Sequence, residues 1–232
     1  MRKMMFVVLF APLAAFAAEG GYRLDRSPHE LTDLTSLQAG ARTFVNYCLG
    51  CHGAQYMRYN RLTELGLTEQ QIRDNLLFSA EKVGETMKIA MDTKQGKQWF
   101  GVAPPDLSVV ARSRGADWLY TYLRTFYRDP KTQTGWNNAV FENVAMPHAL
   151  YLLQGERGFD PNKRQFTEIS NGTHSQVEYD MAVRDLVNFL VYVGEPAARH
   201  RKAIGIAVLF VLLGLLFPLT YWLKKEYWKD VH

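Results

Sequence analysis

The sequence predicts a mainly α-helical domain with long loop insertions, followed by one C-terminal transmembrane helix. Three observations carry that expectation. Two capping-box patterns, Thr68-Glu69-Gln70-Gln71 and Ser175-Gln176-Val177-Glu178, each open a stretch with apolar residues at helical spacing. No segment of the body shows a convincing period-2 alternation of the kind a half-buried strand needs. Finally, Ala203 to Leu223 is free of charge over 21 residues. As a helix that run would measure about 31 Å, the thickness of a bilayer core.

Taken in order, residues 1–17 read as a secretory signal: Arg2 and Lys3 at the start, an apolar run from Met4 to Ala15, and an Ala15-Phe16-Ala17 site with cleavage expected before Ala18. The alternative is a retained N-terminal anchor, although the apolar part is short for a bilayer. Residues 19–36 are polar and irregular. Leu37 to Tyr47 is expected to be a helix running straight into Cys48. The first capping box opens a helix through Ile72, Leu76 and Leu77. Residues 92–108, with their glycines and prolines, read as loop, and Asp117 to Tyr127 is aromatic-rich at helical spacing. Residues 128–172 read as a long connection. The second capping box opens a helix with Met181, Leu186, Phe189, Leu190 and Val193 on its apolar side, closed by Gly194-Glu195-Pro196. The expected division is therefore a signal (1–17), an exported domain (18–198), a basic linker (199–202), a span (203–223) and a tail (224–232). Pro218 allows a kink within the span. Tyr221, Trp222, Tyr227 and Trp228 form an aromatic anchor at its exit.

Charge alone does not orient the span. Arg199, Arg201 and Lys202 precede it, and Lys224, Lys225 and Lys229 follow it. The signal breaks the tie: the body is expected outside the cytoplasmic membrane and the tail inside. The formal net charge of +4 hides an asymmetry. The signal carries +2 and residues 199–232 carry +4, which leaves the body 18–198 at −2. That balance argues against a nucleic-acid partner, which wants a basic face.

The chemistry concentrates in Cys48-Leu49-Gly50-Cys51-His52. These are the chain's two cysteines, in a C-x-x-C-H run. This is the attachment signature of a c-type haem, in which both thiols bond to the ring and the histidine ligates the iron. A redox dithiol or half of a zinc site is the competing reading. The trailing histidine, the lack of a second cysteine pair and the export signal favour haem. The second iron ligand would come from the eight methionines or six histidines. Met1, Met4 and Met5 leave with the signal. Met57 lies close behind His52 in sequence. Met87, Met91 and Met181 suit a helical core. Met146 stands in a loop, Val144-Ala145-Met146-Pro147-His148, where a proline-stiffened strap can present a sulfur to iron. His148 is its rival. Arg114 is a candidate partner for the haem propionates, Pro104 and Pro105 for a rigid apolar wall, and Leu107 and Trp118 for burial of the ring.

These runs resemble the cytochrome c1 family. Phe44 to His52 is similar to the family's haem helix, Tyr59-Asn60-Arg61-Leu62 to its Tyr-Arg-x-Leu, and Ala103-Pro104-Pro105-Asp106-Leu107-Ser108 to its proline–aspartate motif. Arg112-Ser113-Arg114 stands where the family has a propionate-binding Arg-x-Arg. Val144 to Pro147 stands in place of the axial-methionine strap. The match runs over about residues 25–228. The strap departs from the family's Met-Ala-Pro-Pro, and the acidic insert of mitochondrial members is missing, as in compact bacterial forms.

The resemblance implies a class I cytochrome c-like haem domain with one covalent haem c, His52 and Met146 on the iron, and no bond-making chemistry of its own. It implies a one-electron relay in a cytochrome bc1 complex, dimeric, with cytochrome b and a Rieske iron–sulfur protein as neighbours and a c-type cytochrome as acceptor. The competing functions are a membrane-anchored cytochrome serving a terminal oxidase or reductase without a bc1 complex, and a haem enzyme or gas sensor with Met146 displaced.

Overall fold

Several helix starts in this chain are set by side chains that accept from their own first turn. Asp33 accepts from the Ser36 amide and opens α1 (Leu34–Tyr47). A computed structural model describes residues 22–89 and 91–230, so the expected signal at 1–17 lies outside the described residues. After α1 come β1 (Ala54–Arg58) and a 3₁₀ segment, Tyr59–Leu65. Both capping boxes form as expected. Thr68 opens α2 (Glu69–Asn75), which stops short of Leu76 and Leu77. Next are β2 (Thr86–Met87), α3 (Thr93–Phe100), α4 (Val110–Arg114) and α5 (Ala116–Arg124). The region that follows holds β3 (Phe126–Arg128), β4 (Trp136–Asn138), α6 (Tyr151–Gln154), β5 (Gly155–Asp160) and β6 (Gln165–Asn171). Ser175 then opens α7 (Gln176–Gly194). A continuous helical rod of α8 (Ala198–Phe210), a π-helical stretch (Val211–Leu216) and α9 (Phe217–Tyr227) ends the chain.

The frame is the crossing of α1 on α7, with α5 packed beside it. Gly40 makes the crossing close. A Cβ there would lie 2.0 Å from the Asp185 carbonyl oxygen and 2.7 Å from the Phe189 Cβ. The Phe44 and Phe189 rings meet at a 47° tilt, 5.6 Å apart, both fully buried. A polar seam runs alongside: Ser36 donates to Asp185 at 2.7 Å, and Asn188 donates to the Glu30 carbonyl at 2.8 Å. Residues 22–33 are strapped along α5, where Thr121 accepts from the Asp25 amide and Asp117 from the Ser27 amide, both at 2.8 Å. Arg124 closes this layer with a two-pronged pair to Asp180, 2.7 and 2.8 Å, and a third bond to Asp25.

Three expectations need correction. The segment 92–108 is not all loop, because α3 occupies Thr93–Phe100. Its interior Gly96 is used for close packing: a Cβ there would lie 3.0 Å from both the Met91 sulfur and Pro104 Cδ. Among the described residues the body also holds three two-stranded antiparallel sheets, β1–β2, β3–β4 and β5–β6. Their strands are short, and in the longest pair β5 is at least half-buried throughout while β6 is mostly exposed, so no alternating pattern marks them. Finally, Met181 is 44% exposed instead of core. The buried stripe of α7 runs through Tyr179, Val183, Leu186, Val187 and Leu190, and Met181 sits on the opposite side.

The terminal rod, Ala198–Tyr227, is 30 residues long and apolar enough to cross a membrane. At about 45 Å it exceeds a bilayer core, so its ends reach the headgroup regions. A π-helical stretch, Val211–Leu216, lies just before Pro218. Proline has no N–H to give the preceding turn, and a wider turn redistributes the freed carbonyls. Tyr221, Trp222, Tyr227 and Trp228 are all exposed near its end.

Candidate haem site

The CxxCH run forms where α1 ends. The Cys51 and His52 amides both donate to the Cys48 carbonyl, at 3.0 and 2.8 Å, so the run coils into one tight turn. That turn brings both thiols and the imidazole to one wall of a cleft of about 330 Å³. Gly53, next in line, has its carbonyl bonded by the Leu107 amide at 2.7 Å. Asp106 accepts from the amides of Gln55 and Ser108, and Ser108 accepts from the Tyr56 amide. The Pro104–Ser108 segment is thereby zipped onto the chain that follows the motif.

This zipper fixes the histidine. His52 Nδ1 lies 2.7 Å from the Pro105 carbonyl. A carbonyl only accepts, so Nδ1 carries the proton and Nε2 keeps the lone pair a metal needs. Burial lowers the His52 pKa, partly offset by that hydrogen bond and by Asp106, so the ring is held neutral. Pro105 therefore contributes more than the apolar wall its sequence suggested. The thiols are raised instead, Cys48 to about 12, by burial first and then by Cys51. Thiols so disfavoured as thiolates do not suit a low-pKa redox dithiol.

The rest of the lining is built from far along the sequence. Met146 borders the cleft, as do Pro104, Pro105, Arg114 and Trp118. Arg114 lies over the Trp118 ring at 5.1 Å and over Phe141 at 5.8 Å, at the rim. Leu107, Leu119, Leu186 and Leu190 supply apolar lining. His148 is not among the lining residues. It is buried behind the strap, stacked on Phe126 at 4.8 Å and bonded through Nε2 to Gln154 at 2.8 Å. Burial drives its pKa down to about 3, so it stays neutral there. Met57 and Met87 are core residues, 1% and 0% exposed.

Sequence reasoning missed the side chains that hold the strap. Residues 139–145 lie outside any helix or strand, and two asparagines organise them. Asn138, fully buried, accepts from the Val140 and Phe141 amides and donates to the Tyr122 carbonyl at 2.7 Å. Asn137 accepts from the Asn143 amide at 2.9 Å, where the backbone takes a left-handed turn at φ 59°. Tyr122 was missed too. It stacks on Trp118 at 4.6 Å and its hydroxyl donates to the Met146 sulfur at 3.4 Å. The i, i+4 spacing of Trp118 and Tyr122, one helical turn apart, was the available signal.

The donor set fits a c-type haem. Two thiols, a neutral imidazole with Nε2 free, a thioether and a rim arginine surround an otherwise apolar cleft. Among the described residues no group of three or more His, Cys, Asp and Glu stands together to hold a metal ion directly.

Comparison with known proteins agrees with this geometry. Residues 25–231 match the Cytochrome C1 family. The chain is 47% identical over 245 residues to the cytochrome c1 of Allochromatium vinosum, with both proteins covered in full. It is 50% identical over 229 residues to a Nitrosomonas europaea protein named ammonia monooxygenase gamma subunit, covering 99% of this chain and 97% of that protein. It is 25% identical to the cytochrome b/c1 of Bradyrhizobium diazoefficiens, over 86% of this chain and 34% of that protein. On the cleft and on these matches, the chain belongs to the cytochrome c1 family: a membrane-anchored, haem c-carrying electron-transfer subunit of the cytochrome bc1 complex.

Proposed function

We propose that Cys48 and Cys51 would tether the haem, that His52 and Met146 would hold its iron, and that the haem domain works on the periplasmic side of a bacterial cytoplasmic membrane. When bound, the haem supplies a one-electron couple. The residues of this chain supply the rest. The Pro105 carbonyl orients His52 and holds its proton on Nδ1. Leu107, Leu186 and Leu190 exclude water from the cleft, and a low dielectric disfavours the more charged oxidised centre. Arg114, at the rim, balances propionate charge. Pro104 and Trp118 also line the cleft and would pack against the ring.

The single observation that carries this reading is convergence. A contiguous CxxCH turn and a methionine 94 positions beyond its histidine border one apolar cleft. Membership of the bc1 complex gives the chain cytochrome b and a Rieske iron–sulfur protein as neighbours. In our reading it takes single electrons from the Rieske protein and passes them to a c-type cytochrome, within a dimeric complex. The expected division into signal 1–17, haem domain 18–198, linker 199–202, span 203–223 and tail 224–232 fits this orientation. The basic flanks on both sides of the span leave the export signal as the support for it.

The test is an optical spectrum of the detergent-solubilised protein, oxidised and reduced, with Met146→Ala alongside. The native protein should show a low-spin c-type spectrum with the thioether–iron charge-transfer band. The variant should keep its covalent haem, lose that band and drop in potential. An unchanged variant removes Met146 from the iron. For orientation, protease added to intact spheroplasts should digest residues before Ala198 and spare the tail.

A further inference from the structure

One hydrogen bond in the cleft has no role in the reading above. The Tyr122 hydroxyl donates to the Met146 sulfur at 3.4 Å. We propose that Tyr122 is a potential-setting residue, holding a hydrogen bond on the axial sulfur of Met146; this rests on Met146 being an iron ligand.

A thioether sulfur has two lone pairs. The hydroxyl engages one and leaves the other for iron, so donation and ligation are compatible. The bond is also built in. Trp118 stacks under the Tyr122 ring at 4.6 Å and 12°, and Phe126 meets it edge-on at 5.0 Å, which fixes the ring plane. Asn138 registers the two partners against each other. Its amide group donates to the Tyr122 carbonyl at 2.7 Å, and its oxygen accepts from Val140 and Phe141, at the start of the strap that carries Met146. Helix α5 and the strap are thus fixed to one side chain. Tyr122 itself is 8% exposed, and its hydroxyl has no other hydrogen-bond partner among the described residues.

The sign of the effect follows from electrostatics. The hydroxyl turns the positive end of its dipole toward a sulfur that, with haem bound, is bonded to the iron. The oxidised centre carries one more positive charge than the reduced one, so this dipole disfavours oxidation. Engaging a lone pair also draws electron density from the sulfur, which weakens its support of the ferric iron. Tyr122 should therefore raise the potential. If Tyr122 only packed the core, its loss would lower stability and leave the potential alone.

The experiment is a redox titration of the holoprotein with Tyr122→Phe, which keeps the ring and its stacking. At a fixed ambient potential the ratio of oxidised to reduced haem should rise about threefold or more, the size expected of one hydrogen bond. The charge-transfer band should shift in position and stay present. A second variant, carrying 3-fluorotyrosine at position 122, is a stronger donor in the same shape, and should shift the ratio the other way. It also keeps the proposal testable where Tyr122→Phe does not fold. Unchanged ratios in both variants, or a shift of the same sign in both, overturn the proposal. Met146→Ala run in parallel separates the two failures. If it loses the band while the Tyr122 variants leave the potential unmoved, ligation by Met146 stands and the role of Tyr122 falls. If it keeps the band, both fall.

Discussion

The two arms that meet at the cleft are built by opposite means. The histidine arm is local. Five consecutive residues coil at the end of α1, and two backbone bonds to the Cys48 carbonyl set the turn. The methionine arm is an irregular strap whose shape depends on two asparagine side chains and on a helix residue 16 positions before one of them. Closing a short turn costs little chain entropy, whereas ordering a loop requires bonds that offset the loss for each residue fixed. The first arm can be written as a motif. The second needs a scaffold.

The comparison can be broken from its base. Gly40→Ala strikes the α1–α7 crossing that supports both arms. The added Cβ meets backbone at 2.0 Å, so the helices must separate. A loss of about 3 kcal/mol or more is expected, read as a lowered denaturation midpoint. If the variant melts like the native protein, the crossing is not the shared foundation.

The next largest effect should divide the arms. Asn138→Ala leaves the Val140 and Phe141 amides and the Tyr122 carbonyl without their buried partner. About 2–3 kcal/mol should be lost, with amide exchange accelerated across 139–146 and unchanged at Cys51 and His52. Equal acceleration on both sides would show that the strap has no independent support.

The smallest effect concerns the chain just beyond the histidine arm. Glu64 accepts from Arg61 and from the buried Tyr192 hydroxyl, at 2.8 and 2.9 Å, and these bonds hold its carboxyl below the usual range. A carboxylate lowered in the folded state stabilises above its unfolded value, near pH 4.5, and that contribution fades as pH falls below it. The pair is partly exposed, so Glu64→Gln should cost under about 1 kcal/mol at pH 7 and less at pH 3. The comparison of melting points at the two pH values checks this.

Much of the fold was legible because its signals are local. Thr68 and Ser175 announced their helices, since a cap needs only the residue three places on. α3 escaped because Gly96 reads as a breaker, yet here it admits Met91 and Pro104. The β5–β6 hairpin escaped because neither half-buried β5 nor mostly exposed β6 alternates in burial. In the site, the CxxCH motif and Met146 could be named, and so could Arg114 and the prolines. The task of Pro105 could not, because a backbone carbonyl has no sequence signature.

The sequence by itself determined the cofactor chemistry, the helix starts and the apolar span, because each depends on residue type and short spacing. Only the tertiary structure decided which nitrogen of His52 keeps its lone pair, that His148 turns away from the cleft, and that Tyr122 reaches the Met146 sulfur. Those outcomes depend on residues 6 to 53 positions apart meeting in space, and such contacts arise only when the helices pack.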